Sequence, residues 1–211
     1  MAFMARYDMK REINRMETFL FVALAYLCGS VPVGFLLACA EGVDIRHRGS
    51  GNIGATNVAR IVGWRHGVLT LLGDTAKGLI PVVLARYFGL EIGQVVWVGL
   101  AAFLGHLYPV FLGFKGGKGV ATALGVLAAV APQATLLLAV VFGIIAGTSR
   151  AVSLASIIAA GLAPLVLWLL SYPGPAVGLG LVLALLITIR HRDNIQRLVT
   201  GAEPKFKVNS Q

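Results

Sequence analysis

The sequence predicts an all-α, polytopic integral membrane protein, and three observations carry that prediction. Of its 211 residues 57% are hydrophobic and 13% charged, outside the balance of a soluble domain of this length. The apolar residues fall in runs of the size needed to cross a bilayer, about 20 residues rising about 1.5 Å each. The cations fall in the gaps between those runs, so the formal charge of +9 reads as membrane topology and not as a nucleic-acid surface. No nucleic-acid partner is expected.

In chain order, residues 1–16 read as an N-terminal extension of unassigned role, 17–203 as one transmembrane domain and 204–211 as a C-terminal tail. The apolar run after the extension is too long for a signal-peptide core, and Tyr26-Leu27-Cys28-Gly29 lacks cleavage-site character. Residues 19–40, 68–90 and 151–170 each suffice for a span; 94–111 and 176–189 reach the length once interfacial residues are counted. Residues 120–147 are broken at Ala131-Pro132-Gln133 into two pieces, each expected to be shorter than a standard span. They form two short spans or a re-entrant hairpin against protein. Either way the chain returns to the side it left. Gly29, Gly34, Gly99 and Gly125 suit close helix contacts. Cys28 and Cys39 share the first run, which offers no disulfide framework or metal spacing, and read as packing residues.

That parity puts the loops at 41–66, 112–119 and 148–150, and the segment after Ile189, on one face. Arg46, Arg48, Arg60, Arg65, Lys115, Lys118, Arg150, Arg190, Arg192, Arg197, Lys205 and Lys207 lie there, against Arg86 opposite. The positive-inside rule makes this face cytoplasmic and the N-terminus external. Arg6, Lys10, Arg11 and Arg15 in the extension run against that orientation, diluted by Asp8, Glu12 and Glu17.

Three polar motifs share the cationic face. In Arg48-Gly-Ser-Gly-Asn-Ile-Gly-Ala-Thr-Asn-Val-Ala-Arg60, glycines permit close backbone approach while Ser50, Asn52, Thr56, Asn57 and Arg60 supply hydrogen bonds. In the second, Lys115 and Lys118 flank Gly116 and Gly117, with Gly119 just before an apolar helix. Cations beside a helix N-terminus favour an anion. The glycine spacing is wrong for a Walker loop, and Gly119 stands where Ser or Thr would hold magnesium, which excludes ATP. The third motif, after the last apolar run, places His191, Asn194 and Ile195 on one helical face. His191 is suited to donate to a phosphate or move a proton, and Asn194 to orient a hydroxyl or an oxyanion. Glu203 reads as a partner for nearby cations. Inside the second long run, Asp74 and Lys77 are three residues apart and form either a structural ion pair or part of the site. His106, near a helix end, is a packed or supporting residue.

SGNIGATNVAR, GHLYPVFLGFKGGKGVAT and HRDNIQRL, in that order between apolar helices, resemble the bacterial acyl-phosphate:glycerol-3-phosphate acyltransferase family, from about Gly29 to Glu203. GDTAKG lies where that family has a similar sequence. The resemblance implies seven transmembrane helices with cytoplasmic motifs in the bacterial inner membrane. It implies transfer of a long-chain acyl group from acyl phosphate to the 1-hydroxyl of glycerol 3-phosphate, giving lysophosphatidic acid and phosphate. The expected partners are those substrates and membrane lipid, with the chain acting as a monomer.

The residues fit that chemistry. An acyl phosphate is already activated, so neither an acyl-enzyme nor a cofactor or metal is expected; alignment and charge neutralisation suffice. No His is followed five positions later by Asp, which argues against acyltransferases built on that pair. Ser50 is a candidate nucleophile, but without a local base a serine between glycines serves better as a phosphate ligand. Catalytic candidates are therefore Ser50, His191 and Asn194, with Arg60 and Lys118 leading the phosphate ligands. Support falls to Asp74, Lys77, His106 and Glu203. Arg46, Arg65, Arg150, Arg192 and Arg197 are read as topology anchors outside the site. Tyr108, Phe111 and Phe114 pack or line an acyl groove. An anion transporter is the rival, but the motifs cluster at one face and no repeat is visible. A membrane phosphotransferase would need an Asp-rich metal cluster, which is missing.

Overall fold

The computed structural model describes residues 2–205, with side chains described from residue 15 onward. Lys207 and most of the 204–211 tail lie outside the described residues, as do the side chains of Arg6, Lys10 and Arg11. The fold is all-helical: α1 (Ala2–Ser30), α2 (Val33–Ala40), α3 (Ala55–Ile61), α4 (Trp64–Tyr87), α5 (Ile92–Leu107), α6 (Val120–Val130), α7 (Pro132–Ser149), α8 (Val152–Leu169), α9 (Gly174–Arg190) and α10 (Arg192–Val199). Among the described residues there is no strand.

Among the described residues five stretches are long and apolar enough to cross a membrane: Arg15–Ala40, Trp64–Tyr87, Ile92–Leu112, Pro132–Ser149 and Val152–Leu169. A sixth arises if α9 and α10, bent by 62° at His191, count as one span. The first apolar run is divided at Val31-Pro32, because proline has no N–H with which to continue α1. Pro81, by contrast, sits buried inside an unbroken α4.

The stretch 120–147 departs from its expected form. Only α6, at 11 residues, is short; α7 has 18 and qualifies as a span by itself. Pro132 occupies the first turn of α7, where its missing N–H costs nothing. At the far end Thr148 and Ser149 hydroxyls return hydrogen bonds to Ile144 and Ile145 carbonyls, carrying the helix past Gly147. The short α6 is tolerated because protein surrounds it: Thr122, Ala123, Gly125, Val126, Leu127, Ala129 and Val130 are all buried.

Small residues set the helix spacing. A Cβ on Gly125 would fall on the Thr75 carbonyl of α4, and one on Gly29 would fall on the Ala102 carbonyl of α5, so these backbones touch directly. Phe103, Leu107, Val82, Val98, Val126, Leu167 and Leu183 fill the core between them. Outward-facing Leu, Val and Ile cover the bundle's flanks, as expected where lipid is the solvent. Cys28 is half-buried and Cys39 exposed; both are free thiols.

Candidate active site

At one end of the bundle the loop before α3, the loop before α6, the end of α9 and all of α10 meet around a cavity of about 390 Å³. Ser50, Gly51, Asn52, Tyr108, Gly116, Lys118, Ile189, Arg190, Arg192, Asp193, Asn194 and Arg197 line it. Four cations against one carboxylate make it a site for an anion. Ser153, at the start of α8, reaches the same end through its bond to Glu203. The segments expected to share a face therefore do.

The first loop is built by Asn57. Its Nδ2 donates to the carbonyls of Arg48 (3.0 Å) and Asn52 (2.9 Å), and its Oδ1 accepts from the Ser50 N–H (3.0 Å). Buried and with both of its N–H donors spent on the loop, this side chain shapes the loop and has no donor left for an anion. Asn52 Oδ1 accepts from the Gly54 N–H, a turn that faces Asn52 into the cavity. Ser50 is exposed and lines the cavity, and among the described residues its hydroxyl is hydrogen-bonded to no side-chain base. Thr56 and Arg60 are exposed on α3 and outside the lining, as is Lys115 on its own loop.

The glycines before α6 differ from the expected anion cradle. Gly116 and Gly117 N–H groups already donate to the carbonyls of Leu107 (3.1 Å) and His106 (3.2 Å), and so are unavailable to a phosphate. Gly119 takes a left-handed conformation (φ 83°) against Phe103 and Leu107, which is why it is not a hydroxyl residue. What the loop offers the cavity is Lys118, whose ammonium donates to Asn194 Oδ1. Burial holds the Lys118 pKa below the usual lysine range.

Asn194, buried on α10, also donates through Nδ2 to Glu203 Oε1 (2.6 Å). Glu203 accepts from Ser153 (2.6 Å) and Arg197 Nε (2.8 Å) as well. Burial alone would raise the Glu203 pKa; the bonds from Ser153, Asn194 and Arg197 outweigh it and keep the carboxylate ionised. His191 is 3% exposed, with Nδ1 2.8 Å from the Ile187 carbonyl. A carbonyl only accepts, so Nδ1 carries the proton. Burial pushes the His191 pKa down to about 4, leaving the ring neutral and Nε2 a bare acceptor.

Asp74 and Lys77 form a buried ion pair. Lys77 Nζ lies 2.9 Å from Asp74 Oδ1 and donates to the Val31 carbonyl at 2.8 Å, capping the break between α1 and α2. His106 Nδ1 is 3.6 Å from the same carboxylate oxygen, and its ring underlies Gly117. None of the three lines the cavity.

The glycerol-3-phosphate acyltransferase family profile matches residues 19–201. The chain belongs to that family. It is 54% identical over 189 residues to the glycerol-3-phosphate acyltransferase of Geobacter sulfurreducens, covering 89% of this chain and 97% of that one. The Aquifex aeolicus enzyme of the same name is 48% identical over 192 residues, covering 90% and 100%. Among solved structures, PlsY (YgiH), an integral membrane glycerol 3-phosphate acyltransferase, superposes in its glycerol 3-phosphate form with a TM-score of 0.88 at 47% identity, covering 90% of this chain and 96% of that one. Its lysophosphatidic acid form gives 0.85 over the same shares. A multi-pass membrane protein of this acyltransferase family is thus what the helices, cavity and relatives agree on.

Three cations that line the cavity, Arg190, Arg192 and Arg197, are not among the residues the sequence assigns to the site; it assigns Arg192 and Arg197 to topology. The signal was present: Arg190, Asn194 and Arg197 are four and three residues apart, the spacing of one helical face.

Proposed function

We propose that this membrane acyltransferase moves a fatty acyl group from acyl phosphate to the 1-hydroxyl of sn-glycerol 3-phosphate. The products are lysophosphatidic acid and inorganic phosphate, and no acyl-enzyme forms. The observation that carries this reading is a cationic cavity lined by Lys118, Asn194 and Arg192, with a buried, neutral histidine of fixed tautomer, His191, between the lining residues Arg190 and Arg192 in the chain. Phosphates of both substrates suit Lys118 and Arg192, with Ser50 and Asn52 giving hydrogen bonds. A fully ionised phosphate has no proton to give to His191 Nε2, but a glycerol hydroxyl does. His191 therefore holds the hydroxyl, and Asn194 holds Lys118 at the reacting phosphate.

The hydroxyl oxygen attacks the acyl carbonyl carbon, the carbon–oxygen bond to phosphate breaks, and the hydroxyl proton leaves with the departing phosphate. A group with a pKa of about 4 is too weak a base to take that proton itself, so His191 orients while the leaving phosphate accepts. Ser50, lacking an adjacent base, serves as a ligand. Arg60 and Lys115, exposed and outside the lining, draw anionic substrates toward it, and Thr56 offers a hydroxyl on α3. The acyl tail passes between helices into lipid beside Tyr108 and Ile189.

The cationic end faces the cytoplasm across a bacterial inner membrane, with the N-terminus outside and α6 counted as the seventh membrane helix. Residues 17–203 act as one domain and as a monomer, with no cofactor or metal. The test is acyl transfer by purified protein to labelled glycerol 3-phosphate, from palmitoyl phosphate or from palmitoyl-CoA. Lysophosphatidic acid from the first donor alone is expected; equal use of both, or of neither, overturns the reading.

A further inference from the structure

Arg190 ends α9 with its guanidinium laid across the loop before α6. Its Nη2 donates to the Gly116 carbonyl at 2.7 Å and its Nε to the Gly117 carbonyl at 3.1 Å. The guanidinium carbon stands 5.9 Å from the centroid of the Tyr108 ring. From the opposite side, the carbonyls of Leu107 and His106 accept the Gly116 and Gly117 N–H groups. Both carbonyls and both amides of the dipeptide are thus held, one set from α9 and the other from α5.

Neither glycine tolerates a side chain here. A Cβ on Gly116 would strike the His106 carbonyl and one on Gly117 the His106 ring. The loop is therefore pressed flat on α5, and a planar fork is what spans two successive carbonyls above it. Among the described residues Arg190 has no carboxylate partner within ion-pair distance, so charge pairing does not explain its place. The next residue is Lys118, which the bracket delivers to Asn194.

We propose that Arg190 is a positioning residue for acyl transfer: it locks the Gly116–Gly117 peptides so that Lys118 is presented to substrate phosphate beside Asn194. The proposal rests on the acyltransferase reading for its kinetic arm only. Lysine carries the charge but cannot bridge two carbonyls in one plane, so Arg190→Lys separates the geometric role from a purely electrostatic one.

The experiment uses the full chain in detergent. With palmitoyl phosphate and glycerol 3-phosphate, Arg190→Lys and Arg190→Ala are expected to lose about tenfold to hundredfold in kcat/KM, the scale of losing charge-assisted hydrogen bonds. Millimolar ethylguanidinium should restore Arg190→Ala severalfold, and the exposed control Arg65→Ala should match the unmodified chain. Independently of activity, trinitrophenylation of Lys118, mapped by peptide mass, should run severalfold faster in Arg190→Lys because the lysine is no longer held. An Arg190→Lys variant with unchanged kcat/KM, or with unchanged Lys118 labelling, overturns the proposal. If the unmodified chain transfers no acyl group, the functional reading fails, and the labelling rate alone decides the positioning role. If Arg190→Ala does not fold, Arg190→Lys supplies both readouts.

Discussion

Two clusters in this protein contain the same ingredients, a lysine, a carboxylate and a histidine, and only one opens onto a cavity. Asp74, Lys77 and His106 lie inside the bundle at 2–5% exposure. Lys77 is consumed by Asp74 and by the Val31 carbonyl, which the break at Pro32 leaves without a helical partner. At the other cluster Asn194 joins Lys118 to Glu203, His191 is buried at the bend beside them, and Lys118, Asn194 and Arg192 line the cavity. Ionisable residues within a membrane domain are thus not equally functional. What separates them is the number of polar valences that the protein itself leaves unfilled.

The largest effect is expected in the inner cluster. Asp74→Asn leaves Lys77 charged and buried without its partner, at a cost of about 3–5 kcal/mol. The thermal midpoint in detergent should fall steeply while the folded fraction keeps near-normal kcat/KM. The double change Asp74→Leu with Lys77→Met should recover most of the stability, because no orphan charge remains. Full stability with abolished turnover in Asp74→Asn would move this cluster into the chemistry and erase the distinction.

Next comes the outer lysine. Lys118→Ala removes the ammonium aimed at the cavity and is expected to lower kcat/KM by about 10²–10³, the scale of deleting a preorganised charge donor. Its thermal midpoint should stay close to that of the unmodified chain. An unchanged kcat/KM would leave the cavity without its reacting cation.

The contrast also explains what could be read from the chain alone. The helices, the break at Pro132 and the shared polar end were legible because apolar run length, an internal proline and cation distribution are one-dimensional signals, whereas residues 19–40 read as one span and hid the division at Pro32. The roles of Gly116 and Gly117 were not, since their amides are satisfied by His106 and Leu107, a contact between segments that spacing does not encode. Asn57 was similarly recognised as a polar motif residue, yet its three bonds point back into its own loop. Arg192 and Arg197 look like topology anchors until the bend at His191 turns α10 over the cavity.

His191 should give a smaller change and a particular pH signature. Its pKa falls from an ordinary value near 6.5 to about 4 on folding, so the unfolded chain takes up the proton first. The stability tied to its neutral form is complete above about pH 6.5 and is lost as pH falls toward 4. His191→Gln should flatten that acid-side slope in a melting series. It should also cost about tenfold in kcat/KM, since a side-chain oxygen still accepts from the hydroxyl. Between pH 6.5 and 8 its rate profile should keep the shape of the unmodified protein's. A lost acid limb in that window would make His191 a titrating base and return the proton to the protein.

The smallest effect separates the rim of the cavity from its approaches. Arg60 and Lys115 are exposed and outside the lining, so their attraction for anionic substrates acts through water and is screened within about 8–10 Å at physiological salt. Arg60→Gln with Lys115→Gln should raise KM for glycerol 3-phosphate about twofold to fivefold at low salt and leave kcat unchanged. The difference should fade as ionic strength rises, because screening removes from the unmodified protein the same attraction that the substitutions removed. A direct phosphate contact behaves otherwise: its loss persists in salt and reaches kcat. Salt dependence therefore tells guidance from grip, and a salt-resistant fall in kcat would bring Arg60 into the site beside Lys118.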